Sequence, residues 1–380
     1  MQPYTDIKQP ACILCGRGLE VCPLFRITCR EDMSPRGKAF LLANIGMQGI
    51  SSREASNLAG LCTGCGRCAD VCPQNMDLPG LIARLRFGHP QWKSWLFSRI
   101  LTGGSFYLPL LAQGGRLFPE SSVGRSLAVP RGNAGSLFRV QPPRQHSGRA
   151  VIFPGCLGRF VRRDLEKKAA SLLTSAGLDV LPVPDWKCCG FPLGQAGYLQ
   201  EQQSSMQSNL KTWEELGRPQ VYVFCATCRA GLTSSHAAQG LPQEIQHLAA
   251  NTFLLSRVLP DSRIEFLPQE PPQELVWHEP CHGTKDTAPA LQNLLLKAGL
   301  NLKVASEQCC GLGGSFRLQA PDLSLKLARE LWQNILPEGP GLCLTECAGC
   351  MIQLASTSPP GTTAVHWLEL FQDEDTEHLT

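Results

Sequence analysis

The sequence predicts a helical, thiol-rich N-terminal domain followed by two copies of one α/β unit. Three observations predict it. Two related cysteine motifs stand near the start of the chain, helix-forming sequence separates them, and from residue 151 one pattern of strands, helices and cysteines runs through twice. The 380 residues leave room for two or three domains with separate cores. A balance of 35 basic to 32 acidic residues leaves +3, too close to neutral to argue for nucleic acid. The 19 cysteines are an odd number, and Met1-Gln2-Pro3-Tyr4-Thr5-Asp6 lacks the charged-then-apolar start of a signal peptide. Metal-bound thiolates in a reducing cytoplasm are therefore expected rather than a disulfide scaffold. No apolar run approaches the ~20 residues that span a bilayer. Membrane contact is expected only peripherally, on the inner face, or through a partner.

The stretch Cys62-Thr-Gly-Cys65-Gly-Arg-Cys68-Ala-Asp-Val-Cys72-Pro73 has the spacing C-x2-C-x2-C-x3-C-P. That spacing wraps backbone around an inorganic cube, with three sulfurs on one cluster and the fourth on a second. Zinc sites usually close one tetrahedron with two C-x2-C knuckles from separate loops. The first motif, Cys12-Ile-Leu-Cys15-Gly-Arg-Gly18-Leu-Glu-Val-Cys22-Pro23, is the same except for Gly18 at the third position. In two-cluster ferredoxins the fourth cysteines cross over. Cys62, Cys65, Cys68 and Cys22 then form a complete set of metal ligands for a 4Fe-4S cluster, while Cys12, Cys15 and Cys72 form a set one ligand short. At the short set a three-iron cluster, a cube with an open or non-cysteine iron, and no cluster all stay open. Cys29 is a nearby thiol able to fill the gap, although a lone cysteine is more often a small buried apolar residue.

Between the motifs, Ser34-Pro35-Arg36-Gly37-Lys38 opens a helix, with Ser34 as cap and Pro35 in the first turn. Phe40, Leu41, Leu42, Ile45 and Met47 supply its apolar side. Arg36 and Lys38 either face a negatively charged cluster or are solvated. Helices between the motifs suggest an α-helical ferredoxin domain over residues 1–85. A helical segment and linker, 86–149, follows. Leu81 to Phe87 leads into Trp92, Trp95, Leu96 and Ile100, then Phe106, Tyr107, Leu108, Leu110 and Leu111. That apolar side packs on its own domain, docks a partner or lies on a membrane surface. Pro130 to Arg149 reads as a linker.

The repeat occupies 150–265 and 272–372. Val151-Ile-Phe-Pro-Gly-Cys156 reads as a buried strand ending on a cysteine, and a helix from about Arg162 to Ala176 ends at Gly177, where a left-handed cap is expected. A strand Leu178 to Val183 and Cys188-Cys189-Gly190 follow, then the strand at Val221 and Cys225-Ala-Thr-Cys228. The second copy runs from Glu274 through His278 to Cys281, a helix near Leu291 to Leu300, Cys309-Cys310-Gly311, and Leu342-Cys343-Leu344-Thr345 before Cys347-Ala-Gly-Cys350. Corresponding cysteines are offset by 125 (156 to 281), 121 (188 to 309) and 122 (225 to 347). Alternating strands and helices favour parallel sheets with sites at the strand ends. Adjacent cysteines point different ways, which suits an object with several metal atoms better than one small ion. Zinc would leave one thiol of five spare. A catalytic thiol needs a base such as His282 and gives no role to the other four.

The doubled pattern C, CCG, C-x2-C behind a two-motif ferredoxin resembles the cysteine-rich CCG-domain iron–sulfur proteins. They include heterodisulfide reductase subunits and iron–sulfur subunits of glycolate oxidase, lactate-utilisation and anaerobic glycerol-3-phosphate dehydrogenase complexes. Domain order, length and the Ser34-Pro35-Arg36-Gly37 element are most similar to the glycolate oxidase iron–sulfur subunits. The resemblance implies an electron-transfer subunit of a flavin-linked 2-hydroxyacid (glycolate or lactate) dehydrogenase complex. An FAD-containing subunit would hold the substrate, a quinone or other acceptor would take the electrons, and this chain would carry no catalytic residue. It further implies that Cys156, Cys188, Cys189, Cys225 and Cys228 hold one non-cubane four-iron cluster, and Cys281, Cys309, Cys310, Cys347 and Cys350 another. A heterodisulfide-reductase-like enzyme, reducing a disulfide at such a cluster, is the alternative it leaves.

Smaller features are expected to be structural. His278 and His282 flank Cys281 and either bond cluster sulfur or are satisfied at a strand end. Cys343 sits mid-strand as a buried apolar residue. Gly311-Leu-Gly313-Gly314 lacks the spacing of a phosphate loop and reads as close backbone approach to the cluster.

Overall fold

The structure, a computed structural model, describes residues 12–45, 53–54, 57, 60–117, 135–143, 148–233, 243–267, 274–305, 308–336 and 340–372. In the N-terminal part, helices Arg17–Val21, Pro23–Thr28, Pro35–Ala43, Arg67–Asp70 and Leu78–Gly88 surround the two cysteine motifs. Ser34 caps the Pro35 helix by accepting the Gly37 amide at 2.9 Å, and Asp77 caps the Leu78 helix by accepting the Gly80 amide at 3.0 Å. Met47 lies outside the described residues.

Among the described residues ten strands follow: β1 Phe138–Val140, β2 Arg149–Phe153, β3 Asp179–Val180, β4 Gln220–Val223, β5 Thr252–Leu254, β6 Ile264–Phe266, β7 Leu275–His278, β8 Leu302–Ala305, β9 Leu342–Thr345 and β10 Thr363–His366. One parallel sheet runs β3-β2-β4-β5 and the other β8-β7-β9-β10, the same order in the second copy as in the first. Each last strand leads into a 3-10 turn, Leu255–Val258 and Trp367–Leu370. These fourth strands, three or four residues long and far from any cysteine, carry no motif that sequence reading could catch.

Other differences have local causes. The strand expected over Leu178 to Val183 is only Asp179–Val180, because Pro182 and Pro184 offer no amide to a ladder. The first crossover helix is Arg163–Ser175, and Gly177 is left-handed at φ 84°. The linker expected over Pro130 to Arg149 contains β1, which pairs antiparallel with β6, and Phe138 is buried against Phe266 and Phe371. Leu137 and Phe138, two core residues in a short stretch between Ser136 and Arg139, were hidden by its glycine, proline and polar surroundings.

The two α/β units share their cores. Leu165, Leu172 and Ile152 of the first pack in one cluster with Trp277, Leu291 and Leu295 of the second. Buried Arg162 reaches Asp164 at 2.6 Å and Glu369 at 3.0 Å, and His366 Nε2 lies 2.7 Å from the Phe224 carbonyl. The N-terminal part is tied on by Arg86, which donates to the carbonyls of Gly60, Cys62 and, in the first unit, Gln195. Arg86 sits beside Ile82 and Leu85 on the buried face of its helix, so a cation on an apolar stripe was its sequence signal. Helices Trp92–Thr102 and Gly104–Leu117 form a hairpin that buries Ser94, Ser98 and Leu108 but leaves Trp92, Trp95, Phe106 and Leu110 exposed. No helix among the described residues is long and apolar enough to cross a membrane.

Gly197, at φ 94°, lets this docking happen: a Cβ there would lie 2.7 Å from the Arg86 carbonyl carbon and the Phe87 nitrogen. Gly197→Ala should destabilise the protein by about 2–4 kcal/mol, read by denaturant unfolding, with the N-terminal part cleaved first in limited proteolysis.

Candidate metal centres

Both N-terminal motifs build the same backbone. Directly after the second cysteine, Gly16 and Gly66 take left-handed φ values of 81° and 82°, and each opens a short helix. Side chains are strained at such a φ, and the turn curls the flanking thiols around a hollow. Cys62, Cys65, Cys68 and Cys22 wall one hollow of about 370 Å³, its mouth included. Cys12, Cys15 and Cys72 wall another of about 440 Å³, with Gly18 on its surface where a third thiol would stand. Cys29 lines neither; it ends the Pro23–Thr28 helix, exposed, at φ 52°. Backbone amides aim at sulfur: Phe25 N–H donates to Cys22 Sγ at 3.5 Å, Gly64 N–H to Cys62 and Met76 N–H to Cys72, both at 3.4 Å. Such donors stabilise anionic, metal-bound sulfur.

Of the two cations expected here, Lys38 is the buried one. It is 2% exposed, lines the hollow of Cys22, Cys62, Cys65 and Cys68, and donates to the Met33 carbonyl. Burial pushes its pKa down, while Cys62 and Cys22 pull it up. Arg36 lines the other hollow and is held by Glu31 at 2.7 and 3.1 Å. Burial pushes the Cys65 thiol up to about 12 and the Cys22 thiol upward too. Metal loading would therefore release protons from these thiols.

In the α/β units the thiols gather at the C-terminal ends of parallel strands. Cys156 follows β2, Cys225 follows β4, Cys281 follows β7 and Cys347 follows β9. In the first set Cys156 and Cys189 donate to Cys188, whose pKa falls well below the ordinary thiol value. Cys228 lies against the chain ahead of Cys156, where a Cβ on Gly155 would stand 2.5 Å from its sulfur. In the second set Cys310 Sγ lies 3.3 Å from Cys350 Sγ, and the Gly311 amide donates to Cys309 Sγ at 3.4 Å. The structure thus brings all five predicted thiols of each unit to one strand-end region. Among the described residues, no three of His, Cys, Asp or Glu converge on a point as a single metal ion requires.

The sets also adjoin one another. Cys225 and Cys350 donate to Cys347, which lowers its pKa, and Thr227 Oγ1 lies 3.3 Å from Cys347 Sγ. The Ala226 amide donates to the Glu346 carbonyl at 3.1 Å, so the two C-x2-C loops face each other. Burial pushes the Glu346 carboxyl up to about 8 despite a hydrogen bond from Thr287 at 2.7 Å. A neutral carboxyl there spares the junction a further negative charge. Toward the N-terminal part, Arg67 donates to the Gln308 carbonyl at 2.8 Å, and Cys65 is close enough to Cys281 for the charge of one to raise the pKa of the other.

His282 bridges the same junction. Its Nε2 lies 3.1 Å from the Gly64 carbonyl and its Nδ1 3.8 Å from Cys281 Sγ. The carbonyl only accepts, so Nε2 carries the proton and Nδ1 faces sulfur. His278 turns instead to Thr345 Oγ1 at 3.4 Å, and burial lowers its pKa to about 4. The loop expected to approach a cluster brings Gly313 against the N-terminal backbone, where a Cβ would come 3.0 Å from the Thr63 Cα. Cys343 is fully buried in β9.

A family model described as a cysteine-rich domain, CCG, matches residues 150–233 and again 275–355, and one described as a 4Fe-4S dicluster domain matches 8–76. The chain is a CCG-domain iron–sulfur protein. The glycolate oxidase iron-sulfur subunit of Escherichia coli (strain K12) is 25% identical over 390 residues, covering 95% of this chain and 93% of that one. One subunit of the fumarate reductase (CoM/CoB) of Methanothermobacter marburgensis is 25% identical, over 93% of this chain and 69% of its own. One subunit of the anaerobic glycerol-3-phosphate dehydrogenase of Escherichia coli (strain K12) is 28% identical over 55% of each chain.

Two substitutions separate sulfur roles from packing roles. Lys38→Met should lower the reduction potential of the neighbouring centre by some tens of millivolts, because a buried cation favours the more negative, reduced state; a spectroscopically monitored redox titration reads this. Cys343→Ala should cost about 1 kcal/mol on unfolding and leave the iron and sulfide content unchanged.

Proposed function

We propose that this chain is the electron-transfer subunit of a flavin-linked dehydrogenase for a 2-hydroxy acid such as glycolate or lactate. The FAD and the substrate site lie on a separate subunit, and a quinone or another acceptor takes the electrons. Contiguity carries the proposal. The Cys12 set shares Cys68 with the wall of the Cys62 set, Cys65 stands beside Cys281, and Cys347 meets Cys225. Four sets of thiols thus lie end to end through the protein. Their donors fit iron–sulfur clusters: thiols in excess of any single ion's needs, around hollows, with amides aimed at sulfur. Clusters bound there supply one-electron carriage.

The chain's own residues do the rest. Lys38 and Arg67 place positive charge beside the thiols, His282 and Arg86 lock the sets together, and the shared cores keep water from the junctions. The two ends differ. Cys15 is exposed, which suits contact with a protein partner. At the other end, half-buried Cys156 and Cys188 border a cavity of about 580 Å³ with Arg159 and Lys187 on its wall, room enough for a small acceptor. The chain's similarity to subunits of glycolate oxidase and of glycerol-3-phosphate dehydrogenase supports the electron-transfer role.

Purified alone and free of flavin, the protein should oxidise neither glycolate nor lactate. It should be reduced by its flavoprotein partner, and Cys156→Ser should block reoxidation by a quinone while leaving that reduction intact. Hydroxy-acid oxidation by the flavin-free chain would overturn the proposal. Turnover of a heterodisulfide by the reduced chain, lost in Cys310→Ser, would replace it with disulfide reduction.

A further inference from the structure

We infer that the N-terminal site holds a three-iron cluster on Cys12, Cys15 and Cys72, its fourth corner closed by the protein rather than left open to a ligand. This rests on the iron–sulfur assignment of the chain and not on the identity of its electron partners.

The motif around Gly18 has not decayed. Its left-handed glycine and short helix repeat those of the complete motif, with Gly16 at φ 81°, ψ −13° against Gly66 at φ 82°, ψ −19°. Its three remaining thiols wall a hollow as large as that of the complete set. What is missing is one donor, and among the described residues around the corner no uncommitted side chain supplies it. A Cβ on Gly18 would meet Pro35 Cβ and Cγ at 3.2 Å and Cys68 Cβ at 3.5 Å. The direction from which a third sulfur would come is thus filled by proline methylenes and by a side chain of the other set.

The rest of the wall offers a fourth iron little to bind. Among the described residues that line the hollow there is no carboxylate, imidazole or hydroxyl. Its two charged groups, Arg17 and Arg36, are cations; a guanidinium has no lone pair to give and repels a ferrous ion. The nearby carboxylate of Glu31 is taken up by Arg36 at 2.7 Å and Ser34 at 3.0 Å. Met76 brings a thioether, a weak donor, and it is packed among Ala39, Leu78 and Ile82. Cys29 lies away from the wall, and the one further thiol on it, Cys68, belongs to the complete set with Cys62, Cys65 and Cys22. Three thiolates therefore secure three irons, and a fourth would be held by inorganic sulfide alone. A cube with an open iron, poised to bind a small molecule, needs either a donor or a reachable corner. This site has cations and proline.

The test is EPR and Mössbauer spectroscopy on the anaerobically purified full chain, oxidised and reduced. The oxidised wild type should show the near-isotropic signal of a three-iron cluster, and incubating the reduced protein with ferrous iron and a thiol should not convert it to a cube. Gly18→Cys, after a few tenths of an ångström of movement by Pro35, should lose that signal and gain a fourth iron at this site. Cys15→Ser should abolish the signal and keep the cube of the Cys62 set, while Met76→Leu should change neither. A wild-type cube that Gly18→Cys does not alter, conversion by added iron, or a Cys15→Ser spectrum identical to wild type would each overturn the inference. If Gly18→Cys does not fold, iron addition and Cys15→Ser still decide it. None of these readouts depends on any substrate or partner, so a failure of the electron-transfer proposal leaves them intact.

Discussion

The loop Thr63–Arg67 is gripped from both α/β units, and the arrangement of the molecule depends on that grip. The Gly64 carbonyl is met by His282, Arg67 reaches the Gln308 carbonyl, and Gly313 brings its own backbone against Thr63. The Gln195 side chain of the first unit lies over Gly64, whose left-handed φ of 69° itself favours glycine. Each contact sets a polar side chain or a glycine against backbone at a half-buried or buried place in the junction. Such groups are costly to leave unpaired, so the loop docks in one way or not well at all. The consequence is electrical as much as mechanical. A cysteine of the N-terminal motif ends up beside the thiols of the second unit, and those beside the thiols of the first.

Duplication explains how two five-thiol sets come to face each other. Each unit places its cysteines at the C-terminal edge of a four-stranded parallel sheet, the edge where crossover loops converge. Two such edges brought together, with the C-x2-C loops in contact through Thr227 and Cys347, concentrate ten thiols at one interface. The cores behind them are shared, so the interface is as fixed as either unit alone. Burial raises the pKa of Cys281 in the second set, of Cys65 in the neighbouring N-terminal motif and of Cys343 outside every set, each to about 12. Ligand thiols lose their protons to a metal centre, which links loading of the sites to completion of the fold. Cys343 shows the contrast: the same chemistry in the same core, but in mid-strand and away from the loop edge.

Much of the site was legible in the sequence because cluster ligands are read by spacing, and spacing survives without knowledge of the fold. The crossed grouping of Cys22 and Cys72, the gap at Gly18, the two α/β copies and the apolar role of Cys343 all follow from local pattern. Lys38 was visible too, but only as one of a pair with Arg36. Which of the two is buried against thiols depends on Glu31, five residues before Arg36, capturing the guanidinium. The fourth strands and β1 were missed because three- or four-residue segments flanked by polar sequence carry no periodicity worth the name.

Sequence alone therefore determined the candidate ligands, their grouping by interval and the order of the domains, since these are written in residue type and spacing. Only the tertiary structure decided how the sets meet, which cation is buried, and that Pro35 packs against Gly18. Those outcomes turn on contacts between residues far apart in the chain, such as Arg86 with Gln195 or His282 with Gly64. Their geometry is fixed by packing and by the need to pair every buried polar group, constraints that act through space and leave no interval in the sequence to read.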